Sequence, residues 1–220
     1  MLLSMNVIEL FSSIDGEGKR QGFLTTFLRL HDCNIRCSYC DTLYSYGPES
    51  TFESMSVQAV ADVIEQLENH RITVTGGEPL LQEPAIIELI DELTRRNAQY
   101  DFNIETNGTI IPSFHRDNVW FTYDYKTPSS LAEDAMNLDI FKVATPADII
   151  KFVVGSMQDL DRMDEILKTY PTDAQIFVSP VWGNIEGATI IEYMKAHDWQ
   201  NVRFQLQIHK FIWDPDAKGV

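Results

Sequence analysis

The chain of 220 residues carries 33 acidic against 17 basic side chains, a formal charge of −16, with 44% apolar and 11% aromatic residues. Such acidity argues against an extended nucleic-acid surface, which needs a basic stripe to displace counterions, and no apolar run approaches the roughly 18 residues of a membrane span. The length suits one α/β domain, 1–220, without repeats or linkers, and the start from Met1 to Met5 lacks a signal peptide's basic and long apolar regions, so the expected setting is cytoplasmic.

In chain order, Thr25 to His31 reads as a strand, and Ser56 caps a helix with Val60, Ile64 and Leu67 on one face. Arg71 to Thr75 is a second strand, followed by a helix from about Pro84 carrying Ile86, Ile90 and Leu93. Asp101 to Glu105 and Val119 to Tyr123 form strands three and four. Asp148 to Val154, apolar between its ends apart from Lys151, suits a strand covered on both faces. Ser156 opens a helix with Leu160, Met163 and Leu167 at helical spacing, Gln175 to Ser179 returns as a strand, and a helix over Ala188 to His197 leads to a last strand from Val202 to Ile208. Strands alternating with helices predict an α/β fold with a mostly parallel sheet, curled into a full or partial (β/α) barrel.

The three cysteines lie together in Cys33-Asn34-Ile35-Arg36-Cys37-Ser38-Tyr39-Cys40. Their odd number, with none elsewhere, argues against a disulfide framework. Three soft thiolates on one loop can hold three irons of a [4Fe-4S] cluster and leave the fourth iron open for a small molecule. They could equally join His31 in a closed Cys3His zinc site, or remain inert buried thiols. The map of elements favours the cluster. The cysteine loop, Thr75-Gly76-Gly77-Glu78-Pro79, Glu105-Thr106-Asn107-Gly108, Asp124-Tyr125-Lys126, Ser179-Pro180-Val181-Trp182 and His209-Lys210 all follow the C-terminal ends of predicted strands, the rim where (β/α) barrels build active sites.

Cys33-x3-Cys37-x2-Cys40 followed by Gly76-Gly77-Glu78-Pro79 resembles the radical S-adenosylmethionine superfamily. The resemblance implies that the open iron chelates the amino and carboxylate groups of S-adenosylmethionine, whose reductive cleavage yields a 5'-deoxyadenosyl radical. On this reading Gly76 and Gly77 leave room for the ligand's methionyl part, and a sheet-edge carbonyl or Glu78 accepts from its ammonium. Asp15-Gly16-Glu17-Gly18, Arg29, Cys40-Asp41-Thr42, Glu105-Thr106-Asn107-Gly108 and His209-Lys210-Phe211 extend the similarity over nearly the whole chain to the 7-carboxy-7-deazaguanine synthase family. That family implies a homodimeric lyase of queuosine and deazapurine biosynthesis. It takes 6-carboxy-5,6,7,8-tetrahydropterin through ring contraction with loss of ammonia, uses Mg2+, and draws electrons from a donor such as flavodoxin or ferredoxin.

Carried over by position, the resemblance makes Arg29 a clamp on the substrate carboxylate. Ile14, Asp15, Gly16, Thr75, His209 and Val220 become further substrate contacts, Thr42 a magnesium ligand, and Gly77, Asp124, Tyr125, Lys126, Ser179, Pro180, Val181 and Trp182 the S-adenosylmethionine pocket. Glu105 and Asn107 are expected on a ribose hydroxyl, although an Asn-Gly turn at a strand end needs no ligand. Thr42 by itself reads as a turn residue, and His209 as an exposed strand-end histidine. The chain departs from the family in having Asp15 for glutamine, Asp124-Tyr125-Lys126 for Ser-Pro-Lys, and a tail several residues longer. A glycyl-radical activase and a zinc-stabilised interaction module are the alternative readings.

Overall fold

The computed structural model describes residues 3–220; residues 1–2 of the amino-terminal reading lie outside the described residues. Nine strands form one sheet: β1 (Ser4–Ile14), β2 (Leu24–Leu30), β3 (Glu53–Ser56), β4 (Arg71–Gly76), β5 (Asp101–Thr106), β6 (Val119–Lys126), β7 (Ile149–Val154), β8 (Gln175–Pro180) and β9 (Val202–Phe204). Their order is β3-β1-β2-β4-β5-β6-β7-β8-β9, with β2 and β4 to β9 parallel and β1 antiparallel to both β2 and β3. The sheet stays open, with β3 and β9 at its edges.

Helices α1 (Val57–Gln66), α2 (Glu83–Arg96), α3 (Ile140–Val143), α4 (Met157–Thr169), α5 (Gly187–Ala196) and α6 (His209–Ile212) complete the described elements of regular α-helix. The serine caps hold as read: Ser56 Oγ accepts from Ala59 N at 3.2 Å, and Ser156 Oγ from Asp159 N at 3.3 Å. On α2, Ala85, Ile86, Leu89, Ile90 and Leu93 are buried, and each of the isoleucine and leucine side chains contributes about 1.5–3 kcal/mol on leaving water.

Registers divide the sheet into two unlike faces. Leu28, Leu30, Ile72, Val74, Phe102, Ile104, Phe121, Tyr123, Tyr125, Ile150, Phe152 and Val154 belong to the buried apolar core. Alternate residues on the same strands are polar: Arg29 pairs with Thr75, Glu105 with Thr122 and Asp124 with Lys151. Lys151 thus belongs to the polar face, and every residue of β7 is buried, so the strand is covered on both faces as read.

Three strands differ from the reading, the short edge strand β3 among them, which was not expected before the Ser56 cap. No strand was expected before Thr25, yet β1 is the longest; a bulge between Val7 and Glu9 breaks its alternation, so no single period runs through it. The last strand stops at Phe204 instead of Ile208. Gln205 N still donates to Val178 O at 2.9 Å, and beyond it the chain leaves β8 and docks on the β1–β2 loop: Gln205 Oε1 accepts from Gly18 N at 2.7 Å, its Nε2 donates to Gly18 O at 2.9 Å, and Ile208 N donates to Gly16 O at 3.2 Å. His209 and Lys210 therefore open the short helix α6 and do not end a strand. This docking bridges loop 15–18 to the segment beyond β9, so the open sheet is a partial barrel.

Beneath it Arg20 is buried, its guanidinium donating to Asp101 Oδ1 at 2.8 Å, Ile72 O at 2.8 Å and Thr73 Oγ1 at 2.9 Å. With its charge so matched, Arg20 ties the β1–β2 loop to the starts of β4 and β5.

Candidate active site

The polar face opens into a cleft of about 760 Å³. All three cysteines line it, Cys33 buried and Cys37 and Cys40 half-buried, none in a disulfide.

Backbone contacts fix the cysteine loop. Asp32 takes the left-handed conformation at φ 78°, its Oδ1 accepts from Cys33 N at 2.8 Å, and its carbonyl accepts from Glu78 N at 2.8 Å. Gly77 N donates to Leu30 O at 3.1 Å, and a Cβ on Gly77 would overlap the Asp32 carbonyl. Gly77 is thus required by the start of the cysteine loop, and Gly76, at φ 149°, by the Leu30 backbone of β2, which a Cβ would overlap. Glu78 corrects the sequence reading. Its carboxylate is fully buried and accepts from Asn107 N at 2.7 Å, Leu80 N at 2.9 Å and Thr106 Oγ1, so it braces the loop after β5 from outside the cleft lining.

Asn107 faces the cleft but spends its amide on the protein: Nδ2 donates to Asn34 Oδ1 at 2.8 Å and approaches Cys33 Sγ at 3.7 Å, while Oδ1 accepts from Thr109 N at 3.0 Å. These bonds tether the cysteine loop to the turn after β5.

The thiols fit an iron–sulfur cluster better than a zinc ion. His31, the proposed fourth zinc ligand, instead packs its ring on Phe52 with centroids 4.3 Å apart. Three free thiols on one loop of the cleft are soft sulfur donors that suit a multi-iron group.

Opposite the cysteines stand the expected substrate contacts. Ile14, Asp15, Gly16, Arg29, Thr75, His209 and Val220 all line the cleft. Asp15 is buried; its Oδ2 accepts from Thr73 Oγ1 at 3.2 Å and lies 3.5 Å from Arg20 Nε. Burial raises its pKa against the pull of Arg20. His209 packs where any side chain on Gly16 would stand, and burial lowers its pKa, favouring the neutral ring. Thr42 lines the cleft beside Asp41, its Oγ1 3.7 Å from Cys40 Sγ.

Of the residues expected around S-adenosylmethionine, Gly77, Glu105, Asp124, Lys126, Val181 and Trp182 line the cleft. Tyr125 does not. On the next position of β6 it faces the helices, packed at a tilt against Phe141 and Phe152, with its hydroxyl donating to Glu133 Oε1 at 2.9 Å. Ser179 and Pro180 also stay behind the wall that Val181 and Trp182 supply, Ser179 fully buried.

A charge cluster not foreseen from the sequence occupies the centre. Lys151 Nζ lies 2.9 Å from Glu17 Oε2 and 3.7 Å from Asp124 Oδ2, and Lys126 Nζ 2.8 Å from the same Asp124 oxygen. Burial would strip the Lys151 proton, but Glu17, Asp124 and Glu105 hold its pKa well above the ordinary lysine value. Burial raises the Glu105 carboxyl to about 7 against the pull of Lys151, so it exchanges its proton near neutrality. Glu17 Oε1 and Asp124 Oδ1 are buried without a partner among the described residues, acceptors a bound ligand can satisfy. The one signal for this cluster was Lys151 itself, a lone charge in an apolar strand.

Comparison with known proteins agrees with this geometry. A family model for the Radical SAM superfamily matches residues 29–153. The chain is 37% identical to the 7-carboxy-7-deazaguanine synthase of Clostridium acetobutylicum over 99% of this chain and 100% of that protein, and 36% identical to that of Methanospirillum hungatei over 96% and 86%. A crystal structure of QueE from Escherichia coli shares the fold at a TM-score of 0.69 and 23% identity, covering 92% of this chain and 93% of that one. The chain belongs to the radical S-adenosylmethionine superfamily and, within it, to the 7-carboxy-7-deazaguanine synthase family.

Proposed function

We propose that the chain is a radical S-adenosylmethionine lyase converting 6-carboxy-5,6,7,8-tetrahydropterin to 7-carboxy-7-deazaguanine with loss of ammonia. The observation that carries this reading is the full-length similarity to synthases of that name, joined to one cleft in which the cysteine loop faces Asp15, Arg29 and Thr75. When bound, the [4Fe-4S] cluster and S-adenosylmethionine supply the electron and the hydrogen-abstracting radical.

The chain's own residues bind and orient. Cys33, Cys37 and Cys40 hold the cluster. Arg29 pairs with the substrate carboxylate through its guanidinium. Asp15, an acceptor only when ionised, takes the donor-rich aminopyrimidine edge, with Ile14, Gly16, Thr75, His209 and Val220 around the ring. Thr42 supplies one oxygen to magnesium. Gly77, Asp124, Lys126, Val181 and Trp182 border S-adenosylmethionine. Glu105, able to hold or release a proton near neutrality, adjoins Lys151, which balances the charge of Glu17 and Asp124.

A flavodoxin or ferredoxin as electron donor, a homodimer, a cytoplasmic setting and a single domain over 1–220 complete the proposal. Among the described residues, no helix is long and apolar enough to cross a membrane. The activase and zinc-module alternatives gain no support: the named relatives are synthases, and His31 is held away by Phe52.

The test is anaerobic incubation of cluster-loaded protein with S-adenosylmethionine, reductant, magnesium and the carboxypterin. Product mass analysis is expected to find 7-carboxy-7-deazaguanine, with turnover reduced when magnesium is omitted; carboxypterin recovered unchanged would refute the assignment.

A further inference from the structure

The bulge in β1 has a local result. Val7 pairs with Leu30 and Glu9 with Arg29, so one extra residue separates the two pairs. In an unbroken register Ile8 would stand opposite Arg29, and Glu9 would fall opposite Leu28 in the apolar core. The bulge turns Glu9 to the polar face instead, directly beside Arg29.

There, one carboxylate oxygen gathers two donors. Arg29 Nε donates to Glu9 Oε1 at 2.6 Å, and the Tyr44 hydroxyl donates to the same oxygen at 2.8 Å. The two charged side chains are only 16% and 20% exposed. Lys218 Nζ sits 4.1 Å from the centroid of the Tyr44 ring, holding that ring against the tail. Arg29 and Tyr44 line the cleft, whereas Glu9 stands behind them.

With Nε occupied, the guanidinium has its Nη1–Nη2 edge left, and among the described residues neither Nη nitrogen has a hydrogen-bond partner. That edge is a two-pronged donor matched to a carboxylate approaching end-on.

We propose that Glu9 and Tyr44 are positioning residues that hold Arg29 end-on to the substrate carboxylate and so set the preference for a carboxylated over a non-carboxylated tetrahydropterin. This rests on Arg29 being the carboxylate clamp. Free rotation of the guanidinium would cost binding geometry at one group and leave contacts with the ring unchanged.

The test is anaerobic calorimetry of the cluster-loaded protein with 6-carboxy-5,6,7,8-tetrahydropterin and with tetrahydropterin lacking the carboxylate. Glu9→Ala is expected to weaken the carboxylated ligand about tenfold and Tyr44→Phe about threefold, with affinity for the other ligand unchanged. Glu9→Gln, whose amide oxygen still accepts from Nε, restores most of the loss. Arg29→Ala removes the preference, and Glu9→Ala added to it has no further effect.

Parent-like preference in Tyr44→Phe and Glu9→Ala, with Arg29→Ala impaired, overturns the positioning role and leaves the clamp standing. Parent-like preference in Arg29→Ala overturns both. Equal weakening of the two ligands also overturns the proposal, since a merely structural role would produce it. Should Glu9→Ala fail to retain its fold, Tyr44→Phe and Glu9→Gln decide the matter by the same criterion.

Discussion

Replacing Lys151 by methionine removes a buried ammonium while keeping the length of the stem. The side chain is 8% exposed, 2.9 Å from Glu17 and 3.7 Å from Asp124. At an effective dielectric near 20 each contact carries on the order of 4–6 kcal/mol of attraction, most of it offset by desolvation. Deleting one partner strands the others, at a cost of about 3–5 kcal/mol.

The pH dependence has a definite sign. Glu105 already sits at about 7 against an ordinary 4.5, and loss of the Lys151 charge raises it further. Between 4.5 and that raised value the folded state binds a proton the unfolded chain has released, so stability falls as pH rises through this window. The penalty of Lys151→Met is therefore largest at alkaline pH and shrinks on acidification. Anaerobic thermal melts at pH 8 should show a loss of about 10 °C, with partial recovery at pH 6. A change within about 2 °C at pH 8, or a deficit that acidification leaves untouched, would refute the reasoning.

Gly77→Ala drives a Cβ into the Asp32 carbonyl and to 2.9 Å from Cys33 Cβ. Backbone cannot turn aside as a side chain can, so anaerobic iron analysis should find less than about half the parent's iron per chain. Ser56→Ala removes the α1 cap, and urea titration should show a loss of about 1 kcal/mol with the cleft unaffected. Asp15→Asn keeps the shape and adds a donor where the aminopyrimidine edge would donate; calorimetry should show carboxypterin affinity down about tenfold, and unchanged affinity would remove the proposed role.

Much of the parallel sheet was legible because β4 to β8 carry short apolar runs bounded by turn residues and helix caps, signals that operate within a few residues. What was illegible depends on partners distant in sequence. β1 escaped notice because its bulge breaks the period, and with it went Glu9, whose neighbour Arg29 is twenty positions away. The end of β9 depends on Gln205 gripping Gly18, 187 positions apart. Tyr125 was misplaced because a tripeptide motif was carried over whole, although adjacent residues of a strand point to opposite faces. Glu78 looks like a ligand group in one dimension; in three it lies outside the cleft lining and braces the loop after β5, whereas Asn107 lines the cleft and also tethers the cysteine loop. The cysteine motif was fully local, but it left cluster, zinc and inert thiols open until the strand-end map and the Gly76-Gly77-Glu78-Pro79 motif were set beside it.

The claim beneath the rest is that Cys33, Cys37 and Cys40 hold a cluster with one iron open to S-adenosylmethionine. Low-temperature electron paramagnetic resonance of the reduced, anaerobically reconstituted protein, recorded with and without that ligand, tests it most directly. The account predicts a [4Fe-4S] signal whose shape changes when S-adenosylmethionine is added, and its loss when any of the three cysteines becomes serine. A protein without a redox-active iron centre, or a cluster signal indifferent to S-adenosylmethionine, would contradict it.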